Sequence, residues 1–510
     1  MSATITDLFK RELLDELYSD FNGWEYDSTD SASVLNKYYI GIGKSEGWED
    51  EANPPLPVPS KEDIHKFQSS LQAMKLVTDL SYVVPRRNWS AGSIYTAWST
   101  SNHSDTTIGT LGDIRGSYYV ITDENNVYVC LQQGVNEEGT VRNSLYKPTT
   151  VTNDPFTAGA DGYVWKFLYN VGTYNSRRYL TSEWMPVEHI YDSTEGGPQL
   201  DTLSASRLAQ WGMQINAVPN QILQIEVDSG GQGYTSVPEI KIHGLHTGDS
   251  AQAYARIDGN NKIFQIVMKD SVDGDFTFGS GYTDRTWVEV VGGGGTGAKL
   301  KPIIHNYEGG FGYDPRNDLS AASLMYSVRL IGDEYDIFNI DNDFRQVGLI
   351  KNPLKDSAVN DNLFSEDSSF TDLRGNALKK LYVSDGVVTE NIGTDTTVTG
   401  ASSGAVAYVD YYKVMIDSDC CADSSVGHPA LFIHQTDDTG FKDFELAEVL
   451  EISNGGGTVN LETHPNQSSA PAMYYADVHN FSGEVFYIDN RLQIDRDEDQ
   501  TEDIKIVIDL

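Results

Sequence analysis

The chain has little cysteine, no long apolar run and no apolar leader, and each shortage excludes a class of protein. Three of its 510 residues are cysteine, none in Cys-x-x-Cys spacing, and the adjacent pair Cys420 and Cys421 is poorly placed to form a disulfide. This usage predicts a reducing compartment. No apolar stretch reaches the roughly 20 residues that span a bilayer, and charges interrupt the sequence from Asp7 to Asp20, where a signal peptide would need an apolar core. We therefore expect the protein to be made in a cytoplasm and kept there, or assembled there into a particle.

Basic residues are also scarce. Thirty-six Lys and Arg face 75 Asp and Glu, for a formal net charge of −39. Binding to nucleic acid and to anionic membranes depends on Lys and Arg, so the sequence predicts neither as a partner. A solvated acidic surface is the favoured interpretation, and an acidic surface that pairs with a basic partner is the alternative.

The residues that are abundant favour β structure. A chain of 510 residues predicts about three domains. Its 46 glycines indicate many turns, and its 29 tyrosines suit strands and protein interfaces equally well. We predict a mainly β fold, a multidomain β-sandwich framework with a few helices.

The stretch 38–89 organises the rest of the chain. In residues 38–43, Tyr38, Ile40 and Ile42 alternate with Tyr39 and two glycines, which predicts a strand with one apolar face. The prolines of 49–59 predict an extended connector, and Ser60 can cap the helix that follows. That helix is predicted near 61–80 from four apolar residues at helical spacing: Ile64, Phe67, Leu71 and Met74.

The same stretch ends in a basic and aromatic cluster. Arg86, Arg87 and Trp89 follow Pro85, and we expect them to be exposed. Two adjacent guanidinium groups in an acidic chain can pair with carboxylates of a neighbouring subunit. We therefore name Arg86, Arg87 and Trp89 as a candidate partner interface, with an ion pair inside the chain as an equal alternative.

The order of these features resembles one family. The strand, Lys44-Ser-Glu-x-Trp48, the proline connector, the helix and Val83-x-Pro-Arg-Arg-x-Trp89 resemble the opening of the dimeric baseplate wedge protein of T-even-type contractile phage tails. Three later blocks agree in order: 161–168, 348–354, and 482–491 leading to 499–510. The resemblance implies a homodimer of β-rich monomers that packs on other baseplate wedge proteins around the tail hub. It also implies a location in the virion, assembly in the host cytoplasm, and a mechanical role in host attachment and sheath contraction.

The remaining chain divides into framework and insertions. A helix is predicted near 5–21 from Phe9, Leu13 and Leu17. The predicted segments are 1–215 as framework, 221–304 as an inserted small all-β domain, 305–362 as framework, 365–470 as a second inserted β domain, and 471–510 as closing framework strands.

The first insertion contains a repeat. Gly-Tyr-Thr occurs at Gly233 and again at Gly281, 48 positions later, each between similar strand-like runs. Three aromatics there can stack on sugars or pack between strands: Tyr234, Tyr282 and Trp287. A receptor-binding or carbohydrate-binding tail component is therefore the alternative function.

Enzyme motifs are weak throughout. Residues 400–404 match the letters of a nucleophile elbow, but a strand-like run follows where that motif needs a helix. Residues 292–299 resemble a phosphate loop, yet the spacing of the lysine is wrong. His243 with His246, and His428 with His434, do not make a metal set. We predict that the protein is not an enzyme and assign no catalytic, cofactor or metal residue.

Overall fold

The computed structural model describes residues 7–22, 36–99, 117–191, 203–272, 274–305, 309–332, 337–338, 340, 343–357, 363–364, 374–384, 386–415, 427–464, 471–497 and 499–510. Over these residues the fold is mainly β, as predicted. The helices are α1 (Asp7–Asn22), α2 (Lys61–Ser69), α3 (Gly172–Tyr179), α4 (Ala205–Ile215) and α5 (Pro315–Asp318).

The strands follow one another along the whole chain. In order they are β1 (Tyr38–Gly43), β2 (Leu71–Leu76), β3 (Asp79–Pro85), β4 (Tyr119–Ile121), β5 (Asn126–Gln132), β6 (Phe156–Thr157), β7 (Val164–Asn170), β8 (Trp184–Val187), β9 (Ile222–Gln232), β10 (Glu239–His243), β11 (Tyr254–Ile257), β12 (Ile263–Val267), β13 (Trp287–Val291), β14 (Thr296–Ile304), β15 (Ser323–Ile331), β16 (Phe344–Lys351), β17 (Arg374–Asn376), β18 (Lys379–Tyr382), β19 (Thr397–Gly400), β20 (Val406–Met415), β21 (His428–His434), β22 (Val449–Ile452), β23 (Gly457–Asn460), β24 (Glu484–Ile494) and β25 (Thr501–Asp509).

The chain forms two compact units. Unit 1 comprises Met1–Asp15, Ser81–Met325 and Val507–Leu510, and unit 2 comprises Glu16–Leu80 and Tyr326–Ile506. Residues 221–304 thus belong to unit 1 and residues 365–470 to unit 2. The status of these two segments as insertions stays a prediction.

Unit 1 contains an antiparallel sheet of order β4-β5-β7-β6. The strand-like runs 118–121 and 127–131, separated by residues 122–126, predict a hairpin. The structure confirms it, because Ile121 lies opposite Val127 and Asn125 adopts the left-handed conformation that such a turn favours. Trp165 and Phe167 of β7 are fully buried and pack with other aromatic residues into one cluster. This cluster is the core of the sheet and includes three residues of the 161–168 block: Tyr163, Trp165 and Phe167.

Residues 222–304 fold with an internal two-fold pattern. Six strand-like runs in this segment predict six strands. All six are present among the described residues, in a sheet of order β12-β11-β10-β13 and a β14-β9 ribbon. The halves correspond, since β9 pairs with β14 as β12 pairs with β11, while β10 and β13 pair with each other. The repeated tyrosines are exchanged between halves: Tyr234 N–H donates to Asn261 O at 3.0 Å, and Tyr282 N–H donates to Asn220 O at 3.1 Å. The repeat read from the Gly-Tyr-Thr triplets is therefore a structural one.

Unit 2 is built on a five-stranded sheet of order β17-β2-β1-β16-β24. Strand β1 is buried on both faces rather than on the one predicted. Tyr39 packs against Phe364 on one face, while Tyr38 on the other packs against Tyr326 and Phe486. Tyr39 therefore faces a second core instead of solvent.

The predicted helix over 61–80 is wrong in its second half. Ser60 does cap α2, accepting the Asp63 N–H at 3.0 Å, but the helix ends at Ser69. The Ser70 hydroxyl donates to the carbonyl of Lys66 at 3.0 Å, which satisfies one of the last helical acceptors. Leu71 and Met74 then belong to β2, where pairing with β1 outweighs their helical spacing.

Two smaller predictions are also corrected. In α1, Leu14 is fully buried, whereas Phe9 and Leu13 of the predicted apolar face are 51% and 42% exposed. The β-branched residues of 387–390 predict a short strand, but Thr389–Asn391 form a 3-10 turn. The turn is closed by Ile392 N–H donating to Thr389 O at 3.1 Å.

A six-stranded antiparallel sheet completes unit 2, with order β18-β21-β20-β19-β22-β23. Its core is aliphatic and includes Val398, Leu431 and Leu450, all fully buried. Strand β21 of this sheet ends at His434, so a titratable side chain lies at the edge of an apolar core.

Candidate functional site

Three of the sequence blocks on which the predicted family resemblance rests lie side by side in unit 2. Strands β1, β16 and β24 are neighbours in the five-stranded sheet, with Gly41 opposite Gly348 and Gly348 opposite Ile488. The Lys44–Trp48 motif leaves the end of β1 and turns back over β24. There Trp48 Nε1 donates to the carbonyl of Arg491 at 2.8 Å.

The turn into the motif is fixed by the backbone. Lys44 adopts a positive φ of 65°, and its N–H donates to Ser70 O at 2.9 Å. Its ammonium group lies 4.6 Å from the centre of the Trp48 ring and 2.9 Å from Glu46 Oε1. The lysine thus joins the motif's acid and its tryptophan.

The motif glutamate enters a buried network with a histidine and an aspartate. Glu46, His434 and Asp410, which we call the acid–histidine network, are 7%, 4% and 0% exposed. His434 Nδ1 lies 2.6 Å from Asp410 Oδ2, and His434 Nε2 lies 3.2 Å from Glu46 Oε2. An imidazole that faces carboxylates through both nitrogens donates two hydrogen bonds, as only the protonated form can.

Neighbouring polar side chains extend this network. Gln72 Nε2 donates to Asp410 Oδ1 at 2.9 Å. Arg345, whose side chain is 2% exposed, lies 2.8 Å from Asp343 Oδ1 and 2.9 Å from Glu51 Oε1. It also donates to the carbonyl of Ser45 at 2.7 Å. The motif is therefore attached to the sheet through its own backbone as well as through Glu46.

The electrostatics of the network favour charged partners. Burial disfavours the imidazolium of His434, but the charge of Asp410 and hydrogen bonds to Asp410 and Glu46 outweigh it and raise the pKa of His434 to about 10. Burial likewise opposes ionisation of Glu46, yet His434 and then Lys44 lower the pKa of this carboxyl to about 2. Both groups stay charged across the neutral range.

This arrangement suits structural locking rather than catalysis. A general base needs a free lone pair at the reacting atom, and both nitrogens of His434 already donate to carboxylates. Because the charged groups are held by fixed partners inside the protein, the network ties the motif to β20 and β21 in one geometry.

A groove lies beside the motif. We call it the motif groove; it encloses about 320 Å³. Its apolar wall includes Trp48, Leu56, Val58 and Ile488, and Leu56 is 89% exposed. The proline connector thus presents apolar side chains to solvent beside the motif.

The predicted partner cluster lies in unit 1 and is half-buried rather than exposed. Arg86 Nη1 donates to the carbonyl of Thr181 at 2.8 Å, and Arg86 Nε donates to Asn88 Oδ1 at 2.9 Å. Trp89 packs on the aromatic cluster of the first sheet, and its Nε1 donates to Ser144 Oγ at 3.2 Å. The three residues are close in sequence and structure, and their role as an interface stays a prediction.

The segment with the letters of a nucleophile elbow is a β-hairpin turn. It joins β19 to β20, with a strand following where that motif needs a helix. Glu448 accepts hydrogen bonds there from the amides of Ser402 and Ser403, at 3.0 and 2.9 Å, and from the Ser403 hydroxyl at 2.8 Å. The Ser403 hydroxyl therefore helps to hold the turn through Glu448.

The other motifs resolve in similar ways. Residues 292–295 form the turn between β13 and β14. Tyr234 and Tyr282 are 2% and 3% exposed, so neither ring offers a face to a sugar at the surface, whereas Trp287 is 53% exposed. His243 and His246 have separate partners, Glu289 and the carbonyl of Gly248.

Sequence reasoning missed the acid–histidine network. Glu46 stood within a recognised motif, but 388 positions separate it from His434. A weak signal existed: His434 directly follows the apolar run Ala430–Ile433, and a histidine at the end of a buried strand needs polar partners. Nothing in the sequence identified those partners.

Among the described residues, no group of three or more His, Cys, Asp or Glu is arranged to hold a metal ion. No helix in that part of the chain is long and apolar enough to cross a membrane. No model of a known protein family matches the chain, and comparison with curated proteins finds no significant match either.

Proposed function

We propose that the protein is a structural baseplate wedge subunit of a contractile phage tail. The observation that carries this proposal is the convergence of the blocks that resemble the wedge family. Residues 38–48, 348–354 and 482–491 are remote in sequence, and they supply three adjacent strands with the motif that crosses them. Blocks that supply adjacent strands of one sheet indicate a shared framework of the fold, not a separate binding site.

The residue types in these blocks have framework roles. A Cβ on Gly348 would lie 2.3 Å from the Phe67 ring, and one on Gly41 would lie 2.6 Å from Leu71. Glycine at position 348 allows α2 to pack directly on the sheet, and glycine at position 41 leaves room for the Leu71 side chain of β2. The fourth block works in the same way in unit 1, where Asp161 Oδ2 accepts the amides of Leu145 and Tyr146 at 2.8 and 3.2 Å.

The role that fits this construction is mechanical. The protein would act as a homodimer that joins other baseplate wedge proteins, in a virion assembled in the host cytoplasm. Rearrangement on host attachment would exchange one set of interfaces for another and needs no covalent chemistry. The locked motif and the half-buried Arg86, Arg87 and Trp89 supply rigid surfaces for such contacts.

Particle labelling tests the proposal. Fab fragments raised against the recombinant full-length chain would be applied to tailed particles produced by the genome that encodes it, before and after sheath contraction. Electron microscopy should show label at the baseplate rim in both states. Preabsorbing the Fab with the recombinant chain should remove the label and serves as the control.

Two outcomes contradict the proposal. Label confined to fibre tips would indicate a receptor-binding component in place of a wedge subunit. Unlabelled particles alongside abundant protein in the lysate would show that the chain is not part of the virion.

A further inference from the structure

An exposed pair of rings stands on the β10–β13 sheet of unit 1. His243 and Trp287 lie opposite each other across the two strands. Their ring centres are 4.2 Å apart, with an interplanar angle of 15°, so the rings are stacked. Trp287 remains 53% exposed, which is unusual for so large an apolar side chain.

The surroundings of the pair are polar. His243 Nε2 lies 2.8 Å from Glu289 Oε2. Lys241, which faces Glu289 across the strands, lies 3.6 Å from Glu239. The indole thus shares its face of the sheet with an imidazole that contacts it, and with Lys241 and Glu289 at the adjoining pair of positions.

The position of the indole leaves it accessible. β13 is the outer strand of the sheet order β12-β11-β10-β13, so no further strand of that sheet stands beside Trp287. The imidazole of His243 covers one side of the indole. The stack also fixes the orientation of the ring before any ligand binds, which lowers the entropy lost on binding.

We propose that Trp287, His243 and Glu289 form a binding platform for a neutral saccharide. A pyranose ring has an apolar C–H face that stacks on an aromatic ring and hydroxyl groups at its edge that donate to carboxylates and accept from N–H groups. The platform offers both: the indole for the C–H face, and Glu289, His243 and Lys241 for the hydroxyl groups. A protein partner fits less well, because the cores of protein interfaces are depleted of charged residues.

The choice of a neutral sugar follows from charge. Glu289 lies two positions from Trp287 on β13, and the chain has a net charge of −39, so an anionic sugar would be repelled. The inference goes beyond the proposed wedge function and does not depend on it. A structural subunit and a free receptor-binding protein can equally carry such a platform.

Saturation-transfer NMR on the full-length chain provides the test. The probes are glucose, galactose, mannose and N-acetylglucosamine at millimolar concentration, with N-acetylneuraminic acid as the anionic comparison. We expect transfer to the C–H protons of at least one neutral sugar and none to the anionic sugar. Trp287→Ala should weaken binding about tenfold or more, because the stacking surface is lost.

Control variants distinguish sugar binding at the platform from nonspecific binding to the protein. Phe486→Ala removes another exposed aromatic side chain, 47% exposed and outside this sheet, and should leave binding unchanged. Glu289→Gln keeps the size of the side chain but should weaken binding by several-fold, since a charged acceptor is lost. Amide exchange over β10 and β13 checks that each variant is folded.

Three results would overturn the proposal. The first is no transfer from the wild-type chain to any of the neutral sugars. The second is equal transfer from the wild-type chain and Trp287→Ala. The third is a loss of binding in Phe486→Ala as large as in Trp287→Ala. The labelling of particles is unaffected by these results, so the two proposals fail separately.

Discussion

Replacing His434 by glutamine should destabilise unit 2 strongly. The substitution removes the imidazolium between Glu46 and Asp410, and it leaves the Asp410 carboxylate, which is 0% exposed, without that cation. Removing one member of a buried ion pair typically costs about 3–5 kcal/mol of unfolding free energy. Lys44 still lies 2.9 Å from Glu46, so we expect the lower part of that range.

Amide hydrogen exchange is the appropriate assay because the chain has two units and need not unfold in one step. Peptides that cover β20 and β21 should lose protection by roughly 3 kcal/mol. His428→Gln is the matched control, since His428 begins the same strand and is not part of the acid–histidine network. That variant should stay within about 0.5 kcal/mol of the wild type.

The pH dependence gives a second signature. The pKa of His434 is raised from 6.5 to about 10 in the folded protein. Its contribution is therefore complete below pH 6.5 and is lost as the pH rises toward 10, by up to about 1.4 kcal/mol per pH unit. The pKa of Glu46 is lowered from 4.5 to about 2, so its contribution is complete above pH 4.5 and is lost as the pH falls toward 2.

Protection of β20 and β21, corrected for intrinsic exchange, should thus be highest between those limits. The alkaline decline should be absent in His434→Gln and present in His428→Gln. Loss of less than about 1 kcal/mol in His434→Gln, or an alkaline decline that persists in that variant, would refute the view that the imidazolium locks the motif.

Two further substitutions test the packing of the five-stranded sheet and the turn between β19 and β20. Gly348→Ala places a methyl group 2.3 Å from the Phe67 ring, and this overpacking should lower the free energy of unfolding by about 1–3 kcal/mol. Urea denaturation, monitored by amide exchange of β1 and β16, measures the loss. Recovery on adding Phe67→Leu would locate the clash, and an unchanged stability of Gly348→Ala would contradict it. Glu448→Gln weakens an acceptor of three amides and a hydroxyl and should cost about 1–3 kcal/mol, measured as faster exchange in the turn between β19 and β20; unchanged exchange there would mean that the carboxylate does not hold the turn.

Local patterns predicted the strands well where each run was short and bounded by glycine. Residues 222–304 are the clearest case, because alternating apolar residues and glycine turns at Gly233 and Gly281 agree with the strands observed. Patterns failed where a long-range partner decided the outcome. Leu71 and Met74 fit a helix by spacing, yet they form a strand because β1 offers a ladder of hydrogen bonds.

The candidate site was predictable in part. The sequence singled out the Lys44–Trp48 motif and the blocks around Gly348 and Arg491, but it did not predict that the strands β1, β16 and β24 that carry or precede them are neighbours in one sheet. The partner of Glu46 was beyond reach, because sequence spacing carries no information about two side chains 388 positions apart. The exposure of Arg86, Arg87 and Trp89 was misjudged since nearby backbone carbonyls bind Arg86.

The pairing of β9 with β14 has a consequence for how this chain can vary. Ile222 lies opposite Ile304, and His305 N–H donates to Gln221 O at 3.1 Å. The chain therefore enters and leaves this repeat at neighbouring points, since paired antiparallel residues lie about 5 Å apart. A segment with adjoining ends can be lengthened, shortened or exchanged through a short connection without separating the chain on either side. Residues 222–304 can thus be replaced as a unit. Proteins with the same flanking structure can then differ in the surface that this segment presents.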